Sequence, residues 1–430
     1  MTAMINALIL TCKIAIYPIK WNCISEITLG EESEMLREKH ILLGVTGGIA
    51  AYKSAELIRL FVKAGCHVKV IMTKHAMEFI TPLTLQTLSG NPVFLDMFSL
   101  VRDHDIAHIA LAQEADVLVI APATANIIGK MAAGLADDLL TTVALATKAP
   151  ILICPAMNTN MYEHPIVLEN MRKLAVRGCH IMAAGTGELA CKSEGSGRLS
   201  DVDDILDEVQ SILTPKDLTG ERILVTAGPT REPFDPVRFI TNYSSGKMGY
   251  ALATAARRRG ASVTLVSGPS ALPVPRGVDF IPVSSAVEMR EAVIERFEAA
   301  TIVIKAAAVA DFRPSTRADE KIKKKGGPLI LTLERNPDIL AELGKIKEKR
   351  ILIGFAMESE DLVANAAAKL KKKNLDLIIA NDVKQSGAGF QTDTNIVKIL
   401  DRKGGIEELP LMDKMEVADR ILDRAKLLLK

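Results

Sequence analysis

At 430 residues the chain is too long for one ordinary domain, and two or three are expected. Its 48% hydrophobic and 24% charged residues are those of a soluble globular protein, and a formal net charge of +1 supplies no field to draw in polyanions, which excludes a general nucleic-acid or acidic-membrane binder. Six cysteines, none in a CxxC pair, indicate neither a disulfide framework nor a structural zinc site and fit a reducing cytosol. All cysteines and histidines precede Thr214, so chemistry in the second half must rest on lysines, carboxylates, amides, a metal or a bound substrate.

Residues 1–34 hold a short apolar segment, Ala7-Leu8-Ile9-Leu10, then Lys13, Pro18, Trp21 and the acidic Glu31-Glu32-Ser33-Glu34. No basic stretch precedes the apolar one, as a signal peptide requires, and a bilayer span needs ~20 apolar residues. The segment reads as an extension without a catalytic part, and Met35 as a candidate start. From His40 a buried strand runs into the turn Thr46-Gly47-Gly48, followed by a helix over 50–63 and a strand over 67–72. Glycines there let a phosphate approach backbone N–H groups at the helix start, the plain alternative being a tight turn with no ligand. The spacing is not GxGxxG, and Thr73-Lys74 follows the second strand where a ribose-binding acid would stand, which disfavours a dinucleotide.

The stretch DHDIAHIALAQEADVLVIAPATANIIGKMAAGLADDLL, residues 103–140, predicts helix, buried strand, polar turn and helix. Pro122 is expected to end the strand, and Ala123-Thr124-Ala125-Asn126 then lies at a strand's carboxyl end, where open α/β sheets bind ligands. Upstream, His104 and His108 stand one helical turn apart and could hold a metal, although HExxH is absent and no third ligand is evident. Ile151–Cys154 is a further buried strand; after it, Asn158 and Asn160 among Met157 and Met161 form either a polar grip in an apolar wall or a plain loop. Gly185–Arg198, GTGELACKSEGSGR, reads as a mobile lid carrying Cys191, a thiol that taken alone is more often incidental than catalytic. Ser200–Leu213 predicts an amphipathic helix capped by Ser200 with Asp203, and Thr214-Pro215-Lys216-Asp217 marks the domain boundary.

The second half restarts the same grammar: strand 222–228, a longer insertion over 229–247, helix 248–260 and strand 261–267. Ser244-Ser245-Gly246-Lys247-Met248 is not a P-loop, because Met stands where Ser or Thr is needed. Ile302–Asp311 predicts a strand leading to a carboxylate, and two basic clusters follow at 320–327 and 369–373. Singly these are solvated charge runs. Together they suggest a triphosphate site in which lysines neutralise phosphates and Asp311 helps hold Mg²⁺.

Taken together, GVTGGIAAYKS, HIALA, APATANIIGKMAAGLADDLL, PAMNTNMY and the Cys191 segment, then GPTREPFDPVRFITNYSSGKMG, AAAVADF, EKIKKK, RNPDI and KKKNLDLIIAND, closely resemble the bifunctional phosphopantothenoylcysteine decarboxylase / phosphopantothenate–cysteine ligase family of coenzyme A biosynthesis. The resemblance runs from about Lys39 to the C-terminus. It implies a cytoplasmic α/β enzyme of two Rossmann-like domains in series, each a largely parallel sheet with helices on both faces. A flavodoxin-like decarboxylase would span 39–213, a linker 214–220 and a ligase 221–430, with 1–38 outside the resemblance.

In the family, FMN oxidises the cysteine moiety of 4'-phosphopantothenoylcysteine to a thioaldehyde, decarboxylation gives an enethiol, and reduced FMN returns the electrons to yield 4'-phosphopantetheine. The matching residues are His108 as base or positioning group, Asn158 as clamp on the substrate carboxylate and Cys191 as proton donor, with Gly47, Gly48, Ile49, Thr73, Thr124 and Asn126 lining the flavin. On this reading His104 belongs to a helix surface. The ligase is implied to activate 4'-phosphopantothenate with CTP and Mg²⁺ and to pass the acyl-cytidylate, held by Asn242, to cysteine. Asp311, Lys321, Asn336, Pro337, Asp338, Ile339, Phe355, Lys369 and Lys373 match its CTP and Mg²⁺ positions, and Lys305, Ala306 and Ala307 the strand end beneath the nucleotide. Departures are Lys192, Ser196 and Leu199 in the lid, where Gly, Pro and Met are expected, and Tyr243, where some members carry His. The implied assembly is a dodecamer of decarboxylase trimers and ligase dimers, with FMN near a subunit boundary and neither nucleic acid nor membrane as partner. Two other readings stand beside it: a non-catalytic flavin-binding regulator, which would be expected to lose part of the His, Asn and Cys set, and a nicotinamide-dependent reductase, against which the missing acids speak.

Overall fold

The computed structural model describes residues 34–98, 107–188, 194–323, 329–358, 361–382, 389 and 391–429. Apolar runs of the first half form β1 (His40–Val45), β2 (His67–Met72), β3 (Val93–Phe94), β4 (Val117–Ala123), β5 (Ile151–Pro155) and β6 (His180–Ile181), all parallel, in the order β3-β2-β1-β4-β5-β6. This is the Rossmann order. It refines the flavodoxin-like expectation, in which the third strand would lie on the other side of β1. Side chains alternate between the two faces: Ile41, Leu43 and Val45 enter one core and Leu42 the other. Helices cover both faces, so both must be apolar, which is why the strands read as unbroken hydrophobic runs.

The helices of this half are α1 (Lys53–Lys63), α2 (Pro82–Ser89), α3 (Ala107–Glu114), α4 (Ala125–Ala133), α5 (Leu139–Ala146), α6 (Thr159–Tyr162), α7 (Pro165–Val176) and α8 (Val202–Leu213). Several local expectations change. The helix expected from Ala50 begins as a 3-10 turn, Ile49–Tyr52, before α1. Pro122 does not end β4; the strand continues to Ala123 with a register shift against β5 after Ile120, so the proline falls where the regular ladder is interrupted and its missing N–H costs little. Ser200 does not cap α8, because its hydroxyl donates instead to Ala183 O at 2.8 Å. The described part of the glycine-rich segment is a hairpin of β7 (Gly185–Glu188) and β8 (Glu194–Arg198). Gly197 has φ +132°, and a Cβ there would lie 2.2 Å from Met157 O, so in β8 this glycine serves close backbone approach. Cys191, Lys192 and His104 lie outside the described residues.

The second half contains β9 (Arg222–Ala227), β10 (Arg231–Pro233), β11 (Phe239–Thr241), β12 (Ser262–Ser267), β13 (Asp279–Pro282), β14 (Ile302–Lys305), β15 (Phe312–Pro314), β16 (Leu333–Arg335), β17 (Ile351–Glu358), β18 (Leu377–Asp382), β19 (Thr394–Asp401) and β20 (Ile406–Asp413). Eight of them form one sheet, β13-β12-β9-β14-β17-β18-β19-β20, parallel as far as β18 and antiparallel beyond it. The insertion after β9 is the antiparallel ribbon β10–β11, and β15–β16 is a second ribbon. β14 stops at Lys305, short of Asp311; a parallel bridge between Pro229 and Ala308 carries the chain onward. The helices are α9 (Lys247–Arg258), α10 (Ala286–Phe297), α11 (Ile339–Ile346), α12 (Leu362–Lys372) and α13 (Lys414–Lys426).

The halves meet at α8 and α9. Asp207 pairs with both Arg257 and Arg258 at 2.6 Å, and Lys216 Nζ donates to Ser211 O and Arg258 O, carbonyls in the last turns of both helices. Among the described residues no helix is long and apolar enough to cross a membrane.

Candidate active sites

At the carboxyl ends of β1, β2, β4 and β5 lies a cavity of about 1200 Å³ whose walls bring together Gly47, Gly48, Ile49, Thr73, Thr124, Asn126 and Asn158. Thr46 Oγ1 donates to Pro122 O (2.7 Å) and accepts from Thr124 N (3.2 Å), which ties the ends of β1 and β4. Thr124 in turn caps α4 by accepting from Ile127 N, and Asn158 caps α6 by accepting from Asn160 N at 2.9 Å. The two glycines differ. A Cβ on Gly47 would stand 2.4 Å from His75 Cβ, so that position is closed by protein, whereas one on Gly48 would meet only Thr124 Cγ2 at 3.7 Å, so that position is open at the cavity wall.

Charge in this cavity is arranged for an anion. Lys53, Lys74 and Arg198 line it, while its carboxylate, Asp138, is engaged by Lys130 at 3.1 Å and by Thr141 N at 2.9 Å. Burial pushes the Asp138 carboxyl up, but the bonds from Thr141 and Lys130 prevail and hold it below its usual range. Lys130 also meets Asp137 at 2.8 Å, the main cause of its raised pKa. An anionic, planar, partly apolar group such as a flavin phosphate ester fits these walls: bare backbone at Gly48, the cations Lys53 (3.9 Å from Asp201), Lys74 and Arg198, and the apolar side chains of Met157 and Met161. Sequence reasoning missed Lys53, Lys130 and Asp138. The signal for the last was present as the capping box of Asp138 with Thr141.

His108, half-buried on α3, is not among the residues lining this cavity. Two other thiols are set aside by their surroundings: burial pushes Cys66 up to about 12 and Cys154 higher still, so neither is a thiolate at neutral pH.

The second cluster gathers around the carboxyl ends of β9 and β14, beside the middle of β17. Lys305, the last residue of β14, pairs with Gly354 next to Phe355. Burial, reinforced by Lys373, lowers the Lys305 ammonium to about 8, against the pull of Asp338 and Asp311. Lys373 holds Asp338 at 2.9 Å, and Asp338 caps α11 through Ala341 N at 3.1 Å. Lys369 and Lys373 thus end α12, where the helix dipole favours cations. Asn242 Nδ2 donates to Ala308 O (3.0 Å), and Asn336 Nδ2 donates to Ala310 O (2.8 Å), so two predicted residues grip the loop before Asp311. Ala306 and Ala307 donate from their backbones to Thr226. Asp311 and Lys321 are exposed, and Ile339, the first residue of α11, is buried in the core. Among the described residues no group of three His, Cys, Asp or Glu is placed to hold a metal ion. As a site residue, sequence reasoning drew only Asn242 from the segment 228–249. The structure adds Asp235, buried, which Arg238 chiefly and three backbone N–H groups hold well below the usual carboxylate range.

Comparison with known proteins places both halves. The Flavoprotein family model matches residues 16–214, and the model of the DNA/pantothenate metabolism flavoprotein C-terminal domain matches residues 218–428. The chain is similar to the coenzyme A biosynthesis bifunctional protein CoaBC of Bacillus subtilis (strain 168), 50% identical over 400 residues, which is 92% of this chain and 98% of that protein. It is also similar to a cysteine/cysteine sulfinic acid decarboxylase of an unknown prokaryotic organism, 48% identical over 350 residues, 80% of this chain and 98% of that protein. A crystal structure of the C-terminal domain of a CoaBC protein is 46% identical, covers 50% of this chain and 98% of that chain, and has a TM-score of 0.44.

Proposed function

The chain belongs to the CoaBC family of bifunctional coenzyme A biosynthesis proteins, and from that membership we propose how its two sites divide the work. It is a flavoprotein and a bifunctional enzyme, a phosphopantothenoylcysteine decarboxylase joined to a phosphopantothenate–cysteine ligase. Our reading assigns residues 39–213 to the cytoplasmic enzyme's decarboxylase and 221–430 to its ligase, with 214–220 as linker. The observation that carries it is the convergence of Gly47, Gly48, Ile49, Thr73, Thr124, Asn126 and Asn158 on one cavity.

FMN bound there would supply the electron sink that loss of CO₂ from the cysteine moiety requires. The backbone of Gly47 to Ile49, with Lys53, would take its phosphate, and Thr73, Thr124 and Asn126 would orient its ring. Asn158 holds the substrate carboxylate. A neutral amide suits this task, because a cation would stabilise the carboxylate more than a transition state from which charge is departing as CO₂. Cys191 donates the final proton. His108 serves as base or positioning group, and since it does not line its own cavity, it acts at that of a neighbouring copy in a decarboxylase trimer.

In the ligase, an oxygen of the 4'-phosphopantothenate carboxylate attacks the α-phosphorus of CTP and pyrophosphate leaves; the cysteine amine then attacks the acyl carbon and CMP leaves. Lys305, Lys321, Lys369 and Lys373 neutralise phosphate charge. Asp311 would hold Mg²⁺ together with the phosphates, which fits an ion that keeps most of its water and takes one or two carboxylates. Ala306, Ala307, Asn336, Pro337, Asp338, Ile339 and Phe355 shape the nucleotide's seat, and Asn242 holds the acyl-cytidylate. Ligase dimers joined to decarboxylase trimers make the dodecamer.

The test is product analysis by mass spectrometry on the whole enzyme given 4'-phosphopantothenate, cysteine, CTP and Mg²⁺. Wild type yields 4'-phosphopantetheine, and Cys191→Ser stalls at an oxidised, decarboxylated species. Accumulation of 4'-phosphopantothenoylcysteine by wild type would remove the decarboxylase assignment, and equal turnover with ATP would remove the preference for CTP.

A further inference from the structure

The turn between β10 and β11 carries a carboxylate that the reaction above does not use. Asp235 is 1% exposed, and its Oδ1 accepts from Val237 N and Arg238 N, each at 2.8 Å. Its Oδ2 accepts from Arg238 Nε at 2.9 Å and from Ile322 N at 3.3 Å, while Arg238 donates onward to Ile322 O at 3.0 Å. Both backbone groups of Ile322 are therefore held, one directly by the carboxylate and one through its guanidinium partner. The same turn grips the segment again, because Ala318 N donates to Phe234 O at 3.0 Å, and the Arg238 guanidinium lies 5.2 Å over the Phe234 ring. Residues 318–322 belong to no strand, so this turn takes the place of a sheet in fixing them.

We propose that Asp235 is a positioning residue of the ligase: without touching the nucleotide, it fixes the backbone of Ile322 and so the direction in which Lys321 presents its ammonium to the triphosphate. The inference rests on the assignment of Lys321 to the nucleotide site. A carboxylate with this many donors is placed to hold geometry and not to move a proton. A lysine on an unanchored segment would lose backbone as well as side-chain freedom on binding, whereas one on an anchored segment loses only the latter.

The test is a double-mutant cycle in the full-length enzyme, read as pyrophosphate release with CTP, Mg²⁺, 4'-phosphopantothenate and cysteine. Asp235→Asn keeps Oδ1 as acceptor and removes the charge that orients Arg238 and Ile322. Lys321→Ala is expected to raise KM for CTP about tenfold, and Asp235→Asn to raise the same constant by a similar factor with KM for cysteine unchanged. The double variant should be no worse than Lys321→Ala within about twofold. Arg238→Lys, which keeps a cation but lacks the planar fork that reaches Asp235 through two nitrogens while holding Ile322 O, gives the same effect on KM for CTP if Asp235→Asn fails to fold. Decarboxylation of supplied 4'-phosphopantothenoylcysteine, the work of the other half, verifies intact chain in each variant. Multiplying effects of Asp235 and Lys321, or a rise in every KM alike, would overturn the anchor while leaving Lys321 at the nucleotide. An unchanged KM for CTP in Lys321→Ala would overturn the nucleotide assignment itself, and the anchor's purpose with it.

Discussion

Alanine at Gly47 and at Gly48 should separate a turn closed by protein from a turn kept open for a ligand. A Cβ at Gly47 would lie 2.4 Å from His75 Cβ and 2.9 Å from its carbonyl carbon and oxygen, so the turn after β2 has to move. Overpacking of that kind costs about 1–3 kcal/mol, and a domain of this size loses about 2–4 °C of Tm per kcal/mol. Gly47→Ala should therefore melt roughly 2–12 °C lower even without flavin. At Gly48 the backbone is extended, φ −159°, a conformation any residue adopts, and the nearest atom to an added Cβ is 3.7 Å away, an ordinary contact. Gly48→Ala should leave the flavin-free melt unchanged or slightly raised. Its methyl stands where a phosphate would approach the backbone, and losing one charge-assisted hydrogen bond of about 1.5–3 kcal/mol weakens FMN by roughly 10- to 150-fold. Thermal melts of flavin-free protein and FMN fluorescence titrations read the two effects apart. Wild-type FMN affinity in Gly48→Ala would refute placement of the phosphate at this turn, and an unchanged melt in Gly47→Ala would refute the steric argument.

Two further outcomes follow from charge. Lys305 titrates at about 8 in the folded chain against 10.5 in the open, so between those values the unfolded chain binds more protons and the ligase half gains stability as pH rises, by up to about 1.4 kcal/mol per pH unit from this residue; below 8 both states are charged and the burial penalty is fully present. A bound triphosphate restores the proton, so KM for CTP should climb above pH 8 and the climb should flatten in Lys305→Arg, as steady-state kinetics across that range would show. Asp138→Ala removes the cap of α5 and one partner of Lys130, which should cost about 1–2 kcal/mol in a thermal melt. Asp138→Asn, which keeps the cap, should recover most of it.

Much of this protein is legible without coordinates because its strands are buried on both faces. Ile41 to Val45 and Val117 to Ala121 can be read as parallel strands from their composition alone, and the glycine turn and Thr124 cap follow as strand ends. Errors occurred where a local rule met a tertiary competitor. Pro122 stays in its strand because the ladder shifts beside it, Ser200 gives its hydroxyl to Ala183 in place of its own helix, and the expected strand to Asp311 stops at Lys305, beyond which an isolated bridge joins Ala308 to Pro229.

The sequence by itself determined the buried parallel strands that open each half, the helices after them, the two-part organisation and the residue types at those strand ends, since these depend on periodicity and on contacts a few residues apart. Tertiary structure alone decided the strand order of both sheets, the convergence of Gly47, Thr73, Thr124 and Asn158 on one cavity, the separation of His108 from it, and the hold of Asp235 and Arg238 on Ile322. Those are contacts between residues tens of positions apart, and no pattern along the chain encodes which distant strand end comes to lie beside which until the sheet has been wound.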